Sequence, residues 1–177
     1  RPGDAAGDRG VAILDDGEFV ASEVIETSPS DPRHKRLRVI QAESLNLMYF
    51  HLPDIIVIET SAGFQRMTNN SRASIEALAQ ARAACLIAAG NYASRFHIYP
   101  VEVKEIDPHD VRESLCGNRN AGKAQIQANL EQRGFRLPSF RRRTGGVQHD
   151  PDVADAVACA LVCYYQERIL AMKEEVH

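Results

Sequence analysis

The sequence has no apolar run that approaches the ~20 residues needed to span a bilayer. It also has no apolar core of a secretory signal. We therefore expect no membrane-spanning segment within these residues. With 177 residues, 44% of them hydrophobic and 25% charged, the chain has the composition of one globular domain, which we expect to cover residues 1–177.

A C-x-x-C spacing is typical of zinc ribbons and dithiol redox motifs, and the four cysteines do not show it. Most of them lie in apolar segments with helical periodicity. We therefore expect reduced thiols in the core of a cytoplasmic protein, because disulfides are rare in that compartment. The residues concerned are Cys85, Cys116, Cys159 and Cys163.

A strong net charge is missing as well, since the formal charge is -3 at pH 7. This sum does not suggest a nucleic-acid partner, but a local basic patch can bind phosphate whatever the total. Such a patch lies between Arg133 and Gly146, a segment without acids that also contains phenylalanines and a Gly-Gly pair. A merely solvated basic loop is the weaker interpretation. Its arginines are Arg133, Arg136, Arg141, Arg142 and Arg143.

The hydrophobic pattern predicts an α/β chain that opens with a strand hairpin. Two strands joined by an Asp-Gly turn come first, and helices and strands alternate after them. We see no internal repeat. The predicted elements are strands over 10–14, 18–25, 55–59 and 96–101, helices from Arg33 to about His51, Ser71 to about Ala89, Ala121 to Arg133 and about Asp152 to Lys173, and a loop over 135–151.

Three acids give the clearest indication of chemistry. Asp152 and Asp155 open the last apolar helix, where a spacing of three residues places both side chains on one face. Glu59 ends the apolar run Ile55–Ile58, which is typical of a buried strand. Two carboxylates held close together either repel each other or share a cation, so these acids predict a site for Mg²⁺ or Mn²⁺. Helix capping by Asp152 and Asp155 is the commoner use of acids at a helix start, and it stays open on these two residues alone.

Short motifs follow one another in order along nearly the whole chain. They are Arg36-Leu37, Pro53–Glu59, Asn70-Ser71, Leu78–Arg82, Tyr99-Pro100, Val103-Lys104, Gly122–Gln127 and Asp152–Ala158. Each motif is weak alone, but the ordered set resembles the RuvC-type Holliday junction resolvases of the ribonuclease H-like superfamily. The resemblance implies a ribonuclease H-like fold with a mixed central sheet flanked by helices, and a homodimer that hydrolyses phosphodiesters in four-way junction DNA.

The resemblance also implies roles for particular residues. Glu59, Asp152 and Asp155 match three of the family's four metal-binding carboxylates, which hold two Mg²⁺ or Mn²⁺ ions. Two divalent ions roughly 4 Å apart can activate the attacking water and stabilise the leaving oxyanion. Lys104 and Lys123 match basic residues that meet DNA phosphate near the scissile bond. The alternative interpretation of Lys123 is a solvated surface lysine, although a lysine is unfavourable at the positive start of a helix.

Further DNA contacts are expected outside the acidic site. Phe64 corresponds to an apolar wedge that family members push into the junction, although packing in a small satellite core is as good an interpretation. Arg141, Arg142 and Arg143 are expected to bind the DNA backbone, because guanidinium groups suit phosphate. His149 is a candidate auxiliary acid, base or ligand, but a lone loop histidine is more often solvated.

The chain departs from the family pattern at its start, where Arg1-Pro2-Gly3 stands in place of Asp-Pro-Gly. Three explanations are open: a first strand and its Asp lost from a fragment, replacement by Asp4 or Asp8, or a catalytically inactive relative. We favour the first, because a sheet without its middle strand leaves neighbouring strands unpaired.

Two other functions are consistent with the same residues. One is a different ribonuclease H-like nuclease that acts on RNA–DNA hybrids or flaps. The other is a non-catalytic protein that binds junctions. The Asp-x-x-Asp helix start and the two lysines favour the resolvase over the first of these. The missing first carboxylate is the reason for considering the second.

Overall fold

The computed structural model describes residues 9–28, 30–60, 72–95, 100–137, 139–141 and 147–175, the segments 72–74, 139–141 and 147–149 by their backbone alone. The elements follow in chain order. They are β1 (Arg9–Asp15), β2 (Glu18–Ile25), α1 (Arg33–His51), β3 (Ile55–Glu59), α2 (Arg72–Ala93), β4 (Glu102–Ile106), α3 (Pro108–Cys116), α4 (Lys123–Gln132), β5 (Ser139–Arg141), β6 (Val147–His149) and α5 (Pro151–Glu174).

Contacts divide the chain into two compact units whose sequences interleave. Unit 1 contains Arg9 and Ile25–Asp107, and unit 2 contains Gly10–Val24 and the chain from Pro108 onward. The described strands pair as β1-β2, β3-β4 and β5-β6. Within the described ranges, no helix combines the length and hydropathy needed to cross a membrane.

The predicted opening hairpin is confirmed. Asp16 and Gly17 connect β1 to β2, with φ values of 47° and 83°. Positive φ at both central residues is the pattern of a type I′ turn, whose twist matches that of the flanking strands. Asp-Gly is a favoured pair for this turn, because Gly adopts positive φ without strain and Asp tolerates it.

Unit 1 packs α1 and α2 together and against the β3-β4 pair. Its core includes Ile56 of β3 and Ala89 and Tyr92 of α2, all buried. The predicted end of α1 before Pro53 is confirmed, since Leu52 adopts a left-handed conformation and its N–H bonds the carbonyl of Met48. A residue before proline is disfavoured in the helical region, which explains the stop.

The second helix is longer than predicted, because Gly90 and Asn91 do not end it. Gly90 has no left-handed φ, and α2 continues to Ala93. The buried ring of Tyr92, 1% exposed, anchors this last turn in the core of unit 1. Burial therefore outweighs the helix-stopping tendency of Gly-Asn.

The strand predicted over 96–101 is displaced. Residues 96–99 lie outside the described part, Pro100 and Val101 are not in a strand, and β4 occupies Glu102–Ile106. Its residues pair in parallel with β3, from Ile55 opposite Glu102 to Glu59 opposite Ile106. Parallel pairing between distant segments depends on tertiary contacts. The charged residues of the stretch Glu102–Glu105 also interrupt the hydrophobic pattern by which a strand is recognised.

Unit 2 contains α3, which the sequence pattern missed, and α4, which begins at Lys123 instead of Ala121. Pro108 at the start of α3, Asp110 in its first turn and buried Val111 and Leu115 were the available signals. The helices α3 and α4 pack against each other and against α5, whose buried face includes Val153, Val157 and Leu161.

The loop predicted over 135–151 contains the short antiparallel pair β5-β6. The pairing aligns Ser139 with His149 and Arg141 with Val147. Strands of three residues carry too little periodicity to be recognised from the pattern. The final helix α5 ends at Glu174, one residue beyond the prediction.

Candidate active site

The first turn of α5 is capped by Asp150 and not by the acid pair. The Asp150 carboxylate accepts hydrogen bonds from the N–H groups of Asp152, at 2.9 Å, and Val153, at 3.2 Å. Pro151 follows at the first helical position, where its missing N–H costs nothing. The capping interpretation of Asp152 and Asp155 is therefore wrong, because both residues belong to the helix itself and follow its cap.

The two carboxylates of α5 share one cation, the ammonium of Lys123. The Lys123 Nζ lies 3.3 Å from Oδ1 of Asp152 and 2.8 Å from Oδ2 of Asp155. The Asp155 side chain is more buried, at 27% exposed against 45% for Asp152. Like charges this close are tolerable only with a positive charge between them. The geometry is that of two carboxylates bridged by one ammonium group.

Electrostatics distinguish the members of this cluster. Burial raises the pKa of Asp155; Lys123 opposes the rise and the Asp152 charge adds to it, while Arg112 of α3 lowers it. For Lys123, burial acts to lower the pKa, but the hydrogen bond and charge of Asp155, together with Asp152, outweigh it and leave the pKa raised. Lys123 therefore stays charged at neutral pH, and Asp155 holds its negative charge less readily than an exposed aspartate.

The start of α4 fixes the backbone of Lys123. The Gln125 side chain accepts a hydrogen bond of 2.9 Å from the N–H of Gly122, which precedes the helix. Lys123 is then the first helical residue, a position at which a positive charge opposes the helix dipole. The two aspartates compensate for that repulsion. A lysine that is unfavourable for its own helix is thus stabilised by the acid pair.

A second acid–lysine arrangement lies in unit 1, on the β3-β4 pair. Lys104 pairs in register with Val57, two residues before Glu59. Since side chains alternate along a strand and registered partners share a face, Glu59 and Lys104 lie on one face near the carboxyl end of β3. Lys104 also contacts Glu102, with Nζ 3.2 Å from Oε2. The opposite face of these strands carries Ile56 and the core of unit 1.

The predicted residues therefore appear in two clusters, each described within its own unit: Glu59 with Lys104, and Asp152 and Asp155 with Lys123. Across the described part of the chain, no three His, Cys, Asp or Glu side chains form a group that could hold a metal ion. The Asp152 and Asp155 carboxylates nevertheless fit a hard divalent cation, because their oxygens already bind one positive charge, the Lys123 ammonium. Mg²⁺ would take its remaining ligands from water and phosphate.

Several predicted residues lie outside the description. They are Asp4, Asp8, Phe64, Arg142 and Arg143, while Arg141 and His149 are described by backbone only, in β5 and β6. Arg133 is described: its guanidinium donates to Asn129 at 2.7 Å and lies over the Tyr165 ring. These contacts give Arg133 a packing partner at the end of α4.

Three residues of this region escaped the sequence interpretation. Asp150 was recognisable, because Asp followed by Pro is a common helix start. Gln125 had a weaker signal, a glutamine three residues after a candidate helix start. Arg112 had none, since only the packing of α3 beside α5 brings its charge near Asp155.

The fold and this site define the class of protein. A pair of carboxylates at a helix start, ion-paired to one lysine, is a set of groups that metal-dependent phosphodiesterases use. Comparison with known proteins gives the family. The family model described as crossover junction endodeoxyribonuclease RuvC matches residues 10–163, and the chain belongs to that family. Members of this family are metal-dependent nucleases.

Individual relatives agree with this assignment. The crossover junction endodeoxyribonuclease RuvC of Salinibacter ruber is 30% identical over 146 residues, which cover 82% of this chain and 70% of that protein. The enzyme of the same name from Rickettsia akari is 27% identical over 147 residues, covering 83% and 81%.

Solved structures show the same fold. Thermus thermophilus RuvC in complex with Holliday junction substrate superposes with a TM-score of 0.62 at 23% identity, covering 84% of this chain and 78% of that one. A further Thermus thermophilus RuvC structure gives a TM-score of 0.60 at 21% identity, covering 84% and 76%. The predicted ribonuclease H-like α/β fold is confirmed.

Proposed function

We propose that the protein is a structure-selective endonuclease that resolves four-way DNA junctions by metal-dependent phosphodiester hydrolysis. The observation that carries the proposal is the Asp152–Lys123–Asp155 cluster at the start of α5, in a chain of the RuvC family. We propose Mg²⁺ or Mn²⁺ as the cofactor, two ions per site. The four cysteines, none of them in a disulfide, support a cytoplasmic location.

Each residue of the site has a distinct task in this proposal. Asp152 and Asp155 hold a cation with their facing oxygens, and Glu59 supplies a further carboxylate. Bound divalent ions supply a polarised water and stabilise the leaving oxyanion. With such a cation bound to the two aspartates, the Lys123 ammonium would be available to donate to a phosphate oxygen. Lys104, on the face of β3-β4 that carries Glu59, contacts the phosphate backbone.

The remaining DNA surface follows from the basic segment. Arg141, Arg142 and Arg143 bind phosphates on either side of the cut, and Phe64 stacks at the junction centre. One domain over residues 1–177 carries all of these parts, because each unit draws on separate stretches of the sequence and neither is a continuous segment.

A comparison of substrates tests the proposal. The protein is incubated with Mg²⁺ and a labelled four-way junction, a linear duplex of the same sequence or an RNA–DNA hybrid. We expect cleavage of the junction and little cleavage of the other two. Preferred cleavage of the hybrid would favour a different ribonuclease H-like nuclease. Tight junction binding with no cleavage in Mg²⁺ or Mn²⁺ would favour a non-catalytic junction-binding protein.

Junction binding should weaken steeply with salt. Each neutralised phosphate contributes about 0.9 to the slope of log affinity against log salt. We expect affinity to fall at least about tenfold between about 50 and 200 mM salt, and the triple change of Arg141, Arg142 and Arg143 to Gln to reduce the slope by roughly two to three. Filter binding without divalent metal measures both.

The matched control for the triple change is Arg119→Gln. Arg119 is an exposed arginine that already pairs with Asp110 and Glu113. Its replacement should leave the salt slope unchanged. A loss of affinity of less than about threefold over this salt range would contradict the phosphate-binding role.

The metal-free protein should show a pH dependence that comes from Asp155. Its pKa in the folded state lies above the ordinary value, so the folded protein binds its proton more tightly than the unfolded chain does. The contribution of Asp155 to stability is therefore largest below about pH 4, the unfolded pKa, and is lost as the pH rises through the raised folded pKa.

Denaturant unfolding in EDTA measures this effect. Relative to Asp155→Asn, which cannot ionise, the wild type should lose stability between about pH 4 and neutral pH. A stability difference that stays flat over this interval, or that changes in the opposite direction, would show that Lys123 and Arg112 more than compensate for the burial of Asp155.

We propose that the protein works as a homodimer, because a four-way junction is approximately two-fold symmetric and needs two incisions. We propose α2 for the interface, because this helix has two different faces. One packs in the core of unit 1 through Ala81, Ala84, Ala88 and Ala89. The other is an exposed stripe of small residues around Ile87, which allows close approach of a second α2 helix. The stripe consists of Ala79, Ala83 and Ile87.

Ile87→Glu should therefore convert the dimer to a monomer at micromolar concentration. A buried carboxylate without a partner at the centre of a two-fold interface costs several kcal/mol, twice over. Ile169→Glu in α5 is the control, since Ile169 is 52% exposed and Ile87 is 54% exposed. Sedimentation velocity reports both variants. If the wild type sediments as a monomer at micromolar concentration, the proposed homodimer is wrong.

A further inference from the structure

Gly10, at the start of β1, lies directly against the first turn of α5. A Cβ atom built on Gly10 falls 2.2 Å from the carbonyl carbon and oxygen of Asp152 and 2.5 Å from the nitrogen of Val153. The atoms in the way belong to the backbone, so no change of rotamer makes room. Glycine inside a strand often marks such a close approach of two backbones.

The hairpin also contacts α5 at a second point, three turns further along the helix. The Tyr164 hydroxyl donates to the Asp16 carboxylate at 3.1 Å. Gly17 lies against the same ring, with a built Cβ 2.6 Å from Cε1 of Tyr164. From Gly10 to Gly17 a strand advances by about 23 Å, and from Asp152 to Tyr164 a helix advances by about 18 Å. The hairpin therefore contacts α5 at two points, about three helical turns apart.

We propose that Gly10 is a positioning residue for the acid pair. Because Gly10 has no side chain, the backbone of β1 packs directly against the Asp152 peptide, and this contact fixes the position of the first turn of α5. The carboxylates of Asp152 and Asp155 are thereby held at the separation that Lys123 bridges. This inference rests on the proposed function, since it concerns the site that holds the cation.

The effect of a side chain at Gly10 follows from the geometry. β1 and the first turn of α5 must separate by roughly 1 Å to restore ordinary contact, and a shift of Asp152 carries its helical turn with it. Displacements of about 1 Å in a catalytic site can cost about 100-fold in rate. Residues that support metal ligands typically change metal affinity by about 10- to 100-fold when they are replaced.

Gly10→Ala tests the proposal, with Gly90→Ala as its control. Gly90 has nothing within 4 Å of a built Cβ and lies in a helical conformation near the end of α2, so its replacement should be neutral or stabilising. Mn²⁺ binding to the full chain without DNA is followed by electron paramagnetic resonance. We expect Gly10→Ala to raise the half-saturating Mn²⁺ concentration about tenfold or more, and Gly90→Ala to leave it unchanged.

The half-saturating concentration separates positioning from simple destabilisation. A smaller folded fraction lowers the number of sites but leaves the affinity of the folded molecules unchanged. Gly10→Ala with an unaltered Mn²⁺ affinity and a normal circular dichroism spectrum would overturn the proposal. If the wild type binds Mn²⁺ but cleaves no junction, the proposed function fails, while the two affinities still decide the role of Gly10.

A measurement on the wild type decides the matter if Gly10→Ala does not fold. Because coupling is reciprocal, a cation held by the acid pair should stabilise the contact that positions the pair. We expect saturating Mg²⁺ to slow amide hydrogen exchange in residues 10–13 at least about threefold, although this segment contains no ligand, and to leave α2 unchanged. Unchanged exchange in residues 10–13 would refute the positioning role.

Discussion

Asp155→Asn should abolish Mg²⁺-dependent junction cleavage while leaving the folded protein intact. The substitution keeps the shape of the side chain but removes the charge of the more buried ligand. Metal ions contribute several kcal/mol to such reactions, and about 1.4 kcal/mol corresponds to a tenfold change in rate. We therefore expect single-turnover cleavage to fall by about 1000-fold or more, measured with excess enzyme on a labelled junction.

The same variant should be at least as stable as the wild type without metal at neutral pH. The raised pKa of Asp155 means that its surroundings disfavour the ionised form, chiefly through burial. An uncharged isostere avoids that cost, as is common where function requires a strained or destabilised group. Mg²⁺ should raise the melting temperature of the wild type and have little effect on that of Asp155→Asn.

Asp150→Asn is the matched control, since it makes the same substitution at the same helix start. Asn caps helices about as well as Asp does, so the two hydrogen bonds to the first turn remain. We expect cleavage within about threefold of wild type, because changes that keep a cap cost only tenths of a kcal/mol. If Asp150→Asn were as inactive as Asp155→Asn, general electrostatics would explain the loss and the metal-ligand assignment would fail.

Glu59→Gln should reduce cleavage to a similar extent, and its combination with Asp155→Asn should show whether the two acids act on one ion. If both hold the same cation, the second substitution adds little once the first has removed it. We expect each single variant to weaken Mn²⁺ binding by about tenfold or more and the double variant to be far from additive. Isothermal titration of Mn²⁺ into the wild type, the two single variants and the double variant gives the four affinities of this double-mutant cycle.

Glu105→Gln is the control for Glu59→Gln. Glu105 lies on the neighbouring strand β4, on the opposite face, and pairs with Arg82 of α2. Its replacement should change stability slightly and leave Mn²⁺ binding unchanged. Additive losses for Glu59→Gln and Asp155→Asn would mean that the two acids hold separate ions or act independently.

The elements that were predicted correctly are those governed by local rules. The Asp16-Gly17 turn, the stop of α1 before Pro53 and the strand Ile55–Glu59 depend on backbone preferences or on an unbroken apolar run. The missed elements depend on distant partners. β4 contains the charged residues Glu102, Lys104 and Glu105 and becomes a strand by pairing with β3, which lies more than 40 residues earlier.

The candidate site shows the same division. The three-residue spacing of Asp152 and Asp155 was enough to predict that both carboxylates lie close together, because a helix brings residues three apart to one face. The sequence left the capping alternative open, and Asp150 resolved it through two hydrogen bonds that depend on the local backbone. Lys123 could be assigned beside the acids only by resemblance, since it stands 29 residues before Asp152.

The sequence by itself determined the family, the helix that carries the acid pair and the chemistry of its ligands, because these follow from residue type and short-range spacing. Only the tertiary structure decided which cation sits between the carboxylates, which acid is buried enough for its pKa to rise, and why residue 10 is glycine. These features depend on the packing of α4 and β1 against α5, and such contacts join segments that the chain order keeps far apart.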